Sequence, residues 1–267
     1  MIEEEYRKEL SKSKLIVVKV GSTSLSDKEG FLDLKKIEKL CDEIANLKNK
    51  GIDVILVSSG AIRAGRALIK SKIKSSNMPS LQALAAIGQV LLMEAYRKIM
   101  EQRKHIVAQI LLTWDDFKNK RRLRNLLNTL NTLLSFGAIP IINENDTVAV
   151  DEIKFGDNDT LSALVAKYMQ ADLLVILSDV DGLYSGDPND KNSKLITFVS
   201  KITPEIEKYA QNKYEGFGGM MTKIKAAKIV MEAGIPMVIA NSSIDNVLER
   251  IISGEKIGTI FIPKVEI

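Results

Sequence analysis

Short runs of β-branched and aliphatic residues alternate with longer segments of helical periodicity along nearly the whole chain. The runs LIVVKV (15–20) and DLLVILS (172–178) are typical of buried strands. Residues 31–50 instead carry apolar side chains at every third or fourth position, which predicts an amphipathic helix. Because neighbouring parallel strands need a long crossover, usually a helix, the alternation predicts an α/β fold, a three-layer αβα sandwich with a mostly parallel central sheet.

Glycine and proline mark the ends of several predicted elements. Gly51 and Gly137 each follow a helical pattern, as expected of a glycine that ends a helix. Pro79 and Pro204 each open a helical pattern, where the missing N–H costs nothing. The predicted strands are 15–20, 52–57, 105–112, 138–142, 172–178, 195–199, 235–240 and 258–262, with a hairpin over 148–155; the predicted helices are 31–50, 79–103, 119–136, 159–170, 220–233 and 244–252, with others starting near 62 and 204.

Length and composition are those of an ordinary globular protein. The 267 residues are 45% hydrophobic and 27% charged. We find no Pro- or Ser-rich linker and no repeat of fixed period. We therefore predict a single domain over residues 1–267, with residues 1–13 as an N-terminal extension.

Features of membrane and secreted proteins are missing from the sequence pattern. We find no apolar run of the length that crosses a bilayer, and the charged segment MIEEEYRKELSKSK lacks the apolar core of a signal peptide. Cys41 is the only cysteine, which excludes an internal disulfide framework, and it falls on the apolar face of the predicted helix 31–50. We therefore expect a cytoplasmic protein without a membrane partner.

Charge and histidine content limit the chemistry of the chain. The net charge of +4 comes from 38 basic and 34 acidic residues, a balance that does not by itself indicate nucleic-acid binding. The basic run KNKRRLR (118–124) either binds phosphates or forms the solvated face of a helix. His105 is the only histidine. The chain therefore offers very few residues for a histidine base, a Cys–His pair or a histidine-ligated metal, and we assign no metal ligand.

Two clusters of acid and amide side chains follow apolar runs in the middle of the chain. NEND (143–146) follows AIPII, and GDND (156–159) follows the alternating segment VAVDEIKF. Open α/β sheets bind ligands at the carboxyl ends of their strands. Unpaired polar groups are costly to bury, so these clusters form either a solvated loop or a site for a small polar molecule.

Two lysines stand at positions where an anion would compensate them. Lys19 lies at the end of a predicted buried strand, followed by Gly21, and either reaches the surface or binds an anion. Lys223 lies in the first turn of a predicted helix after the loop GFGGMMTK (216–223), and a cation there is unfavourable without an anion. SSGA (58–61) is either a plain helix cap or a further anion-binding turn.

These residues together favour phosphoryl transfer. The dinucleotide fingerprint GxGxxG and the phosphate-binding loop GxxxxGK[ST] are both absent from the sequence. Phosphoryl transfer depends mostly on positioning and charge neutralisation, so it tolerates a chain without an evident general base. The hypothesis assigns Lys19 and Lys223 to phosphate and Asp159 to holding them; Ser59, Asn143, Asp146 and Asn158 form a separate cluster for a small polar molecule.

Eight segments of the chain carry a known family pattern. They are VVKVGSTSL (17–25), VSSGAIRAGR (57–66), AAIGQ (85–89), QILLT (109–113), PIINENDTVAV (140–150), FGDNDTLSALVA (155–166), LSDVDGLYSGDP (177–188) and GGMMTKIKAA (218–227). With these motifs the chain resembles the amino acid kinase superfamily and, within it, the glutamate 5-kinase family. The first and last segments are shared loosely across the superfamily, whereas the NEND and GDND pair is more specific.

The resemblance implies an amino acid kinase fold and a set of residue roles. It implies ATP-dependent phosphorylation of the glutamate γ-carboxylate, with Lys19 and Lys223 neutralising the transferring group and Asp159 orienting both lysines. It places glutamate on Ser59, Asp146 and Asn158, assisted by Asn143. The nucleotide site implied by the resemblance comprises Lys19, Ser178, Asp179, Phe217, Gly218, Gly219, Met220, Met221, Thr222 and Lys223.

The chain departs from the family pattern in a few places. Phe217 stands where a small hydroxyl residue is common, and Met221 where a small residue is usual, so we expect altered nucleotide contacts or altered loop packing. The run 118–124 is more basic than in many relatives. Many relatives also carry a C-terminal domain resembling an RNA-modification fold (PUA type); the sequence ends at Ile267, and we expect no such domain.

The resemblance also implies partners. Mg²⁺ would bridge the ATP phosphates, a homo-oligomer (dimer or tetramer) is expected, and proline is a candidate feedback ligand that these residues do not establish. Alternative acceptors on the same fold are acetylglutamate, aspartate, carbamate and a nucleoside monophosphate. A non-catalytic binding protein and a nucleic-acid-binding protein are the other hypotheses. The NEND cluster argues against the other acceptors, and the set Lys19, Asp159 and Lys223 argues against a mere binder.

Overall fold

The structure, a computed structural model, describes residues 2–69, 77–149, 158–211 and 219–263. Within these ranges the strands match the predicted apolar runs closely, and the first strand coincides with LIVVKV. The described strands are β1 Leu15–Val20, β2 Asp53–Ser58, β3 Val107–Leu112, β4 Ile139–Glu144, β5 Leu173–Ser178, β6 Leu183–Tyr184, β7 Leu195–Ile196, β8 Phe198–Val199, β9 Met237–Asn241 and β10 Thr259–Phe261.

Helices connect most of these strands. Short 3₁₀ turns at Leu10–Lys12 and Thr23–Leu25 supplement the α-helices. The described α-helices are α1 Ile2–Glu9, α2 Leu34–Asn49, α3 Ala61–Ile69, α4 Met78–Gln102, α5 Trp114–Lys118, α6 Lys120–Ser135, α7 Asn158–Met169, α8 Pro204–Ala210, α9 Met220–Glu232 and α10 Val247–Ile252.

The central sheet has eight strands in the order β3-β4-β2-β1-β5-β9-β10-β8. The six strands from β3 to β9 pair in parallel, whereas β10 runs antiparallel to β9 and parallel to β8. β6 and β7 form a separate antiparallel pair. The predicted mostly parallel sheet is confirmed, and the parallel strands bring their carboxyl ends to one edge.

The sheet has a hydrophobic core on each face, which confirms the predicted three layers. Buried residues of α2, α4 and α10 cover one face, and those of α6, α7 and α9 cover the other. β1 shows the alternation that this requires, because Val18 contributes to the first core and Val17 to the second. Cys41 is fully buried in the first core, as its helical position predicted.

One predicted helix is preceded by an additional short helix, and one predicted strand is divided in the structure. The predicted helix 119–136 is preceded by the separate helix α5; Thr113 and Asp116 form a capping box there, and Asn119 starts α6 by accepting from two backbone N–H groups. The predicted strand 195–199 becomes β7 and β8, which belong to different sheets. The predicted hairpin over 148–155 lies, from residue 150 onward, outside the described residues.

The basic run 118–124 spans the end of α5 and the first turns of α6. Most of its side chains are exposed, and Arg122 forms an ion pair with Asp116 at 2.7 Å. This placement favours the solvated helix face over a phosphate site.

The first helix packs onto the body of the fold. Arg7 is 2% exposed, and its guanidinium donates to the carbonyl oxygens of Thr197 (2.9 Å) and Ile257 (2.8 Å). Further contacts reach Glu255 and Gly258. Sequence analysis treated residues 1–13 as an extension and did not anticipate this anchoring, because one arginine among many charged residues gives no signal.

Helix α4 corrects one expectation from the sequence. With 25 residues it is, by length and composition alone, apolar enough to cross a membrane, and it is the only such helix in the described ranges. Its residues Leu92 and Tyr96 are buried in the first core, however, and its outer face carries the ion pairs Arg97–Glu101 and Lys98–Glu94. These features are those of a core helix with one solvated face.

Helices α3 and α4 cross at two glycines. A Cβ atom at Gly88 would lie 1.7 Å from the carbonyl oxygen of Ala61, and one at Gly65 would lie 2.0 Å from that of Leu84. The two backbones are therefore in direct contact. This contact fixes the first turn of α3, which begins immediately after the carboxyl end of β2.

Candidate active site

A cleft of about 930 Å³ opens at the edge where the carboxyl ends of β1, β2 and β5 meet. It lies where the topology of a parallel α/β sheet places ligands. Gly60 adopts a φ of 115°, which favours glycine and lets β2 turn sharply into α3 at the cleft wall. The predicted site residues that line the cleft are Lys19, Ser59, Asp146, Ser178, Asp179, Gly219, Met220 and Lys223.

Two lysines and one aspartate form the centre of the site. Lys19 Nζ lies 2.7 Å from Asp159 Oδ1, and Lys223 Nζ lies 3.1 Å from Asp159 Oδ2. All three side chains are buried or nearly so, yet both lysines line the cleft. The structure thus brings together three residues that sequence analysis grouped from opposite ends of the chain.

The charges of this group favour an anionic ligand. Burial raises the pKa of Asp159, but Lys19 and Lys223 outweigh burial and bring that pKa to about 2. Burial, assisted by Lys19, lowers the pKa of Lys223, while Asp159 opposes the shift. An ionised carboxylate between two ammonium groups leaves one positive charge in excess, and a phosphate in the cleft would neutralise it.

Local structure at α9 places the second lysine. Gly219 is the N-cap of α9, so Lys223 lies in the first turn, where the backbone N–H groups attract anions. The Thr222 hydroxyl lies 2.6 Å from Asp159 Oδ2, which adds a contact to the carboxylate. Thr222 was predicted as a nucleotide contact, and the structure places its side chain against Asp159 instead of in the cleft wall.

A chain of amide side chains lies behind Ser59. Asn158 Nδ2 donates to Ser59 Oγ (2.7 Å) and to Asn143 Oδ1 (2.9 Å), and Asn143 Nδ2 donates to Gln89 Oε1 (2.9 Å). Ser59 lines the cleft, whereas the two asparagines are buried beneath it. The structure thus brings together Ser59, Asn143 and Asn158, which sequence analysis grouped, and adds Gln89.

Asp146 supplies a carboxylate on the same side of the cleft. It is 4% exposed, and burial, assisted by the charge of Glu144, raises its pKa from 3.8 to about 7. Oδ1 of Asp146 has no hydrogen-bond partner in the part of the chain that the structure describes. A cationic group of a ligand would satisfy this oxygen and lower the pKa.

The opposite wall of the cleft is formed after β5 and β9. Asp179 is exposed there, and the Ser178 hydroxyl lies 3.3 Å from its Oδ1. Asp181 accepts from Asn241 Nδ2 and from the Tyr184 hydroxyl, each at 2.9 Å. These polar side chains give this wall of the cleft several hydrogen-bonding groups.

The remaining predicted nucleotide residues divide into two groups. Met221 packs, partly buried, against the second hydrophobic core and does not line the cleft. Phe217 and Gly218 lie outside the described residues, as do Gly156 and Asp157 of the GDND cluster.

Sequence reasoning missed several residues near the site. Lys28, Arg63 and Arg66 line the cleft, and Gln89 and Glu144 are buried close to the amide chain. The two arginines had a detectable signal, since they lie three residues apart on a helix predicted to start at the SSGA turn. Gln89 had none beyond its place in the segment AAIGQ.

Comparisons with the sequences of known proteins identify the family of the chain. A sequence model of the amino acid kinase family matches residues 14–241. The chain belongs to the amino acid kinase family. It is 54% identical over 251 residues to the glutamate 5-kinase of Caldanaerobacter subterraneus subsp. tengcongensis, covering 93% of this chain and 68% of that protein. It is 48% identical over 260 residues to the glutamate 5-kinase of Clostridium acetobutylicum, covering 96% and 97%. The resemblance to glutamate 5-kinases found in the sequence is confirmed.

Solved structures of the amino acid kinase family share the fold at low identity. The carbamate kinase from Giardia lamblia bound to AMP-PNP matches with a TM-score of 0.66 and 17% identity, covering 95% of this chain and all (100%) of that one. The UMP kinase from Bacillus anthracis matches with a TM-score of 0.65 and 17% identity, covering 94% and 96%. The predicted amino acid kinase fold is confirmed by these matches.

Proposed function

We propose that the protein transfers the γ-phosphoryl group of ATP to the γ-carboxylate of L-glutamate, giving glutamyl 5-phosphate in the first step of proline biosynthesis. The observation that carries this proposal is the pair Lys19 and Lys223, held on one buried carboxylate at the strand edge beside a polar pocket. The identity of about half the residues to glutamate 5-kinases supports glutamate as the acceptor.

The two lysines carry the charge stabilisation. A glutamate carboxylate oxygen forms a bond to the γ-phosphorus as the bond from that phosphorus to the β-phosphate oxygen breaks, and ADP leaves. Negative charge spreads over the transferring group during this step, and two fixed ammonium groups stabilise it without reorganising. Asp159 keeps both lysines in place, because its two oxygens each hold one ammonium group.

The reaction needs no general base. The glutamate γ-carboxylate has an ordinary pKa of about 4.3, so it is ionised and nucleophilic at neutral pH. The scarcity of histidine in the chain is consistent with this chemistry.

The cleft offers complementary groups for the rest of the acceptor. Asp146 carries the negative charge that pairs with the α-ammonium group of glutamate, and its unsatisfied Oδ1 supports this role. Ser59 offers a hydroxyl to a carboxylate oxygen, with Asn158 and Asn143 behind it. The nucleotide is assigned to the opposite wall, near Ser178 and Asp179.

ATP-dependent kinases generally use Mg²⁺ as a cofactor. When bound with ATP, Mg²⁺ would neutralise charge on the phosphates and so assist the transfer. The described residues hold no group of three His, Cys, Asp or Glu side chains that fits a metal ion.

The deciding experiment offers several acceptors to the purified protein. ATP, Mg²⁺ and hydroxylamine are mixed with L-glutamate, acetylglutamate, L-aspartate, carbamate or UMP. We expect ADP release with L-glutamate and a hydroxamate trapped from the acyl phosphate, with much slower ADP release for the others. Faster turnover of UMP or acetylglutamate than of L-glutamate would overturn the assignment of the acceptor.

Two further properties belong to the same proposal. We propose a homo-oligomer, supported by the exposed apolar residues Ile106 and Phe136 near the edge strand β3. We also retain proline as a candidate feedback ligand, because it is the end product of the proposed pathway. Light scattering of the purified protein, and turnover measured with added proline, test these two points.

A further inference from the structure

We propose that Gln89, which lies outside the cleft lining, is a positioning residue: by accepting from Asn143 it holds the direction of hydrogen bonding through Asn143 and Asn158 that leaves the Ser59 hydroxyl to donate toward the acceptor carboxylate. The inference rests on the proposed function, because it refines how the glutamate pocket recognises a carboxylate. One backbone group beside this row of amides can only donate.

That group is the N–H of Glu144. It lies 2.9 Å from the side chain of Asn143, and since a backbone N–H only donates, the accepting atom of Asn143 is its oxygen. The amide nitrogen of Asn143 then points the other way, toward Gln89 at 2.9 Å. Gln89 must present its own oxygen there, because two amide nitrogens facing each other would both be donors.

The orientation of Asn143 also fixes the orientation of Asn158. Asn143 Oδ1 also accepts from Asn158 at 2.9 Å, so Asn158 must present its nitrogen to Asn143. The second hydrogen of that nitrogen points to Ser59 Oγ at 2.7 Å. Ser59 is therefore an acceptor from Asn158, and its own proton is left to donate into the cleft that it lines.

Gln89 is the last side chain in this hydrogen-bonded row, at the end away from Ser59. It is 8% exposed, and its Nε2 atom is buried without a hydrogen-bond partner among the residues that the structure describes. A buried amide with one unsatisfied side is not the arrangement that stability alone would favour. The arrangement is understandable if the accepting oxygen of Gln89 is what the site requires.

A hydroxyl whose proton is left for the ligand favours a ligand that accepts it. A carboxylate oxygen accepts its proton, whereas an amide N–H or an ammonium group in the same place does not. Loss of the Gln89 oxygen would leave the Asn143 amide nitrogen without its acceptor, so Asn143 and, through Asn158, the Ser59 hydroxyl would be held less firmly in this orientation. The effect should appear in glutamate affinity and leave the nucleotide wall unchanged.

The test compares Gln89→Met with the wild type, measuring KM for glutamate, KM for ATP and the melting temperature. Methionine keeps the length and approximate volume but lacks the amide. We expect KM for glutamate to rise about tenfold, the effect of one hydrogen bond of ordinary strength, and KM for ATP to stay within about twofold. Gln82→Met, on the same helix and away from the cleft lining, is the matched control and should leave both values unchanged.

A double-mutant cycle with Ser59→Ala separates positioning from general damage. If Gln89 acts through Ser59, adding Gln89→Met to Ser59→Ala should raise KM for glutamate by less than about twofold more. Full additivity, an unchanged KM in Gln89→Met, or an equal rise in both KM values would each overturn the inference. A wild-type enzyme that makes no glutamyl phosphate would instead refute the proposed function.

Discussion

Asp159 is the residue on which the proposed phosphate site depends, because its two oxygens hold ammonium groups from separate elements. The strand β1 supplies Lys19 and the helix α9 supplies Lys223, and both are buried against the carboxylate. Such an arrangement of buried charge is stable only while each partner is present. Both ammonium groups are already held in place before a phosphate binds, so little reorganisation is needed during transfer.

Removing one lysine of this group should slow turnover strongly. We expect Lys19→Ala or Lys223→Ala to lower kcat by about 10²–10³, the usual effect of losing one donor to the transition state. Lys225→Ala is the control, because Lys225 lies two residues further along α9 and is exposed. Steady-state rates measured by ADP release check this. Turnover near the wild-type value in either variant would remove that lysine from the catalytic group.

The raised pKa of Asp146 predicts a pH dependence. At a pKa of about 7 the carboxyl is protonated below neutral pH, and a protonated Asp146 cannot pair with an ammonium group. We therefore expect kcat/KM for glutamate to fall as the pH drops from 8 to 6, by roughly tenfold per unit at the acidic end. Asp146→Asn should have a low and flat profile. A flat profile in the wild type would show that Asp146 keeps an ordinary pKa or lies outside the substrate site.

At the scale of elements, the crossing of α3 and α4 sets the position of the Ser59 turn. Sequence patterns predicted both helices and most strands, because periodicity and glycine or proline punctuation are local signals. The start of α6 near Asn119 was predicted, whereas α5 was missed because five residues are too few to show a helical period. Local patterns also gave no indication that Gly65 and Gly88 meet, since a contact between helices is a tertiary property.

Replacing Gly88 should therefore destabilise the protein. A methyl group there would lie 1.7 Å from a backbone oxygen, so the helices must separate. We expect Gly88→Ala to lower the free energy of unfolding by about 3 kcal/mol or more, and the melting temperature by roughly 10 °C. The exposed position Ala86 on the same helix is the control, since Ala86→Gly should cost only about 1 kcal/mol. Thermal unfolding followed by circular dichroism measures both, and a Gly88→Ala protein as stable as the wild type would contradict the close crossing.

At the scale of the whole molecule, the two ends of the described chain are joined through Arg7. Its guanidinium contacts four carbonyl oxygens around β7, β8 and the approach to β10. The sequence did not predict this because the acceptors are backbone groups, which have no residue signature. The site residues were more predictable, since their types and their places at strand ends limit the chemistry. The direction of hydrogen bonding among Gln89, Asn143 and Asn158 has no sequence signal, because it depends on contacts between distant parts of the fold.

Loss of Arg7 should weaken the fold without altering the chemistry. We expect Arg7→Met to lower the free energy of unfolding by about 2–4 kcal/mol, because several buried carbonyl oxygens lose a charged donor. The exposed Lys8 gives the matched control Lys8→Met, which should have little effect. Denaturant unfolding measures the loss, and KM values below the transition should match the wild type. A fall in stability equal to that of the control would show that the carbonyl contacts of Arg7 contribute little to stability.

The wide separation in sequence of the two lysines around Asp159 has a consequence for biosynthesis. A nascent chain that has emerged from the ribosome only as far as α8 contains Lys19 and Asp159 but lacks Lys223, so it cannot complete the phosphate site or turn over ATP. Activity should therefore be the last property to return when denatured protein is diluted into buffer, after the sheet has formed and α9 has docked. Truncated or partly folded copies should consume no nucleotide.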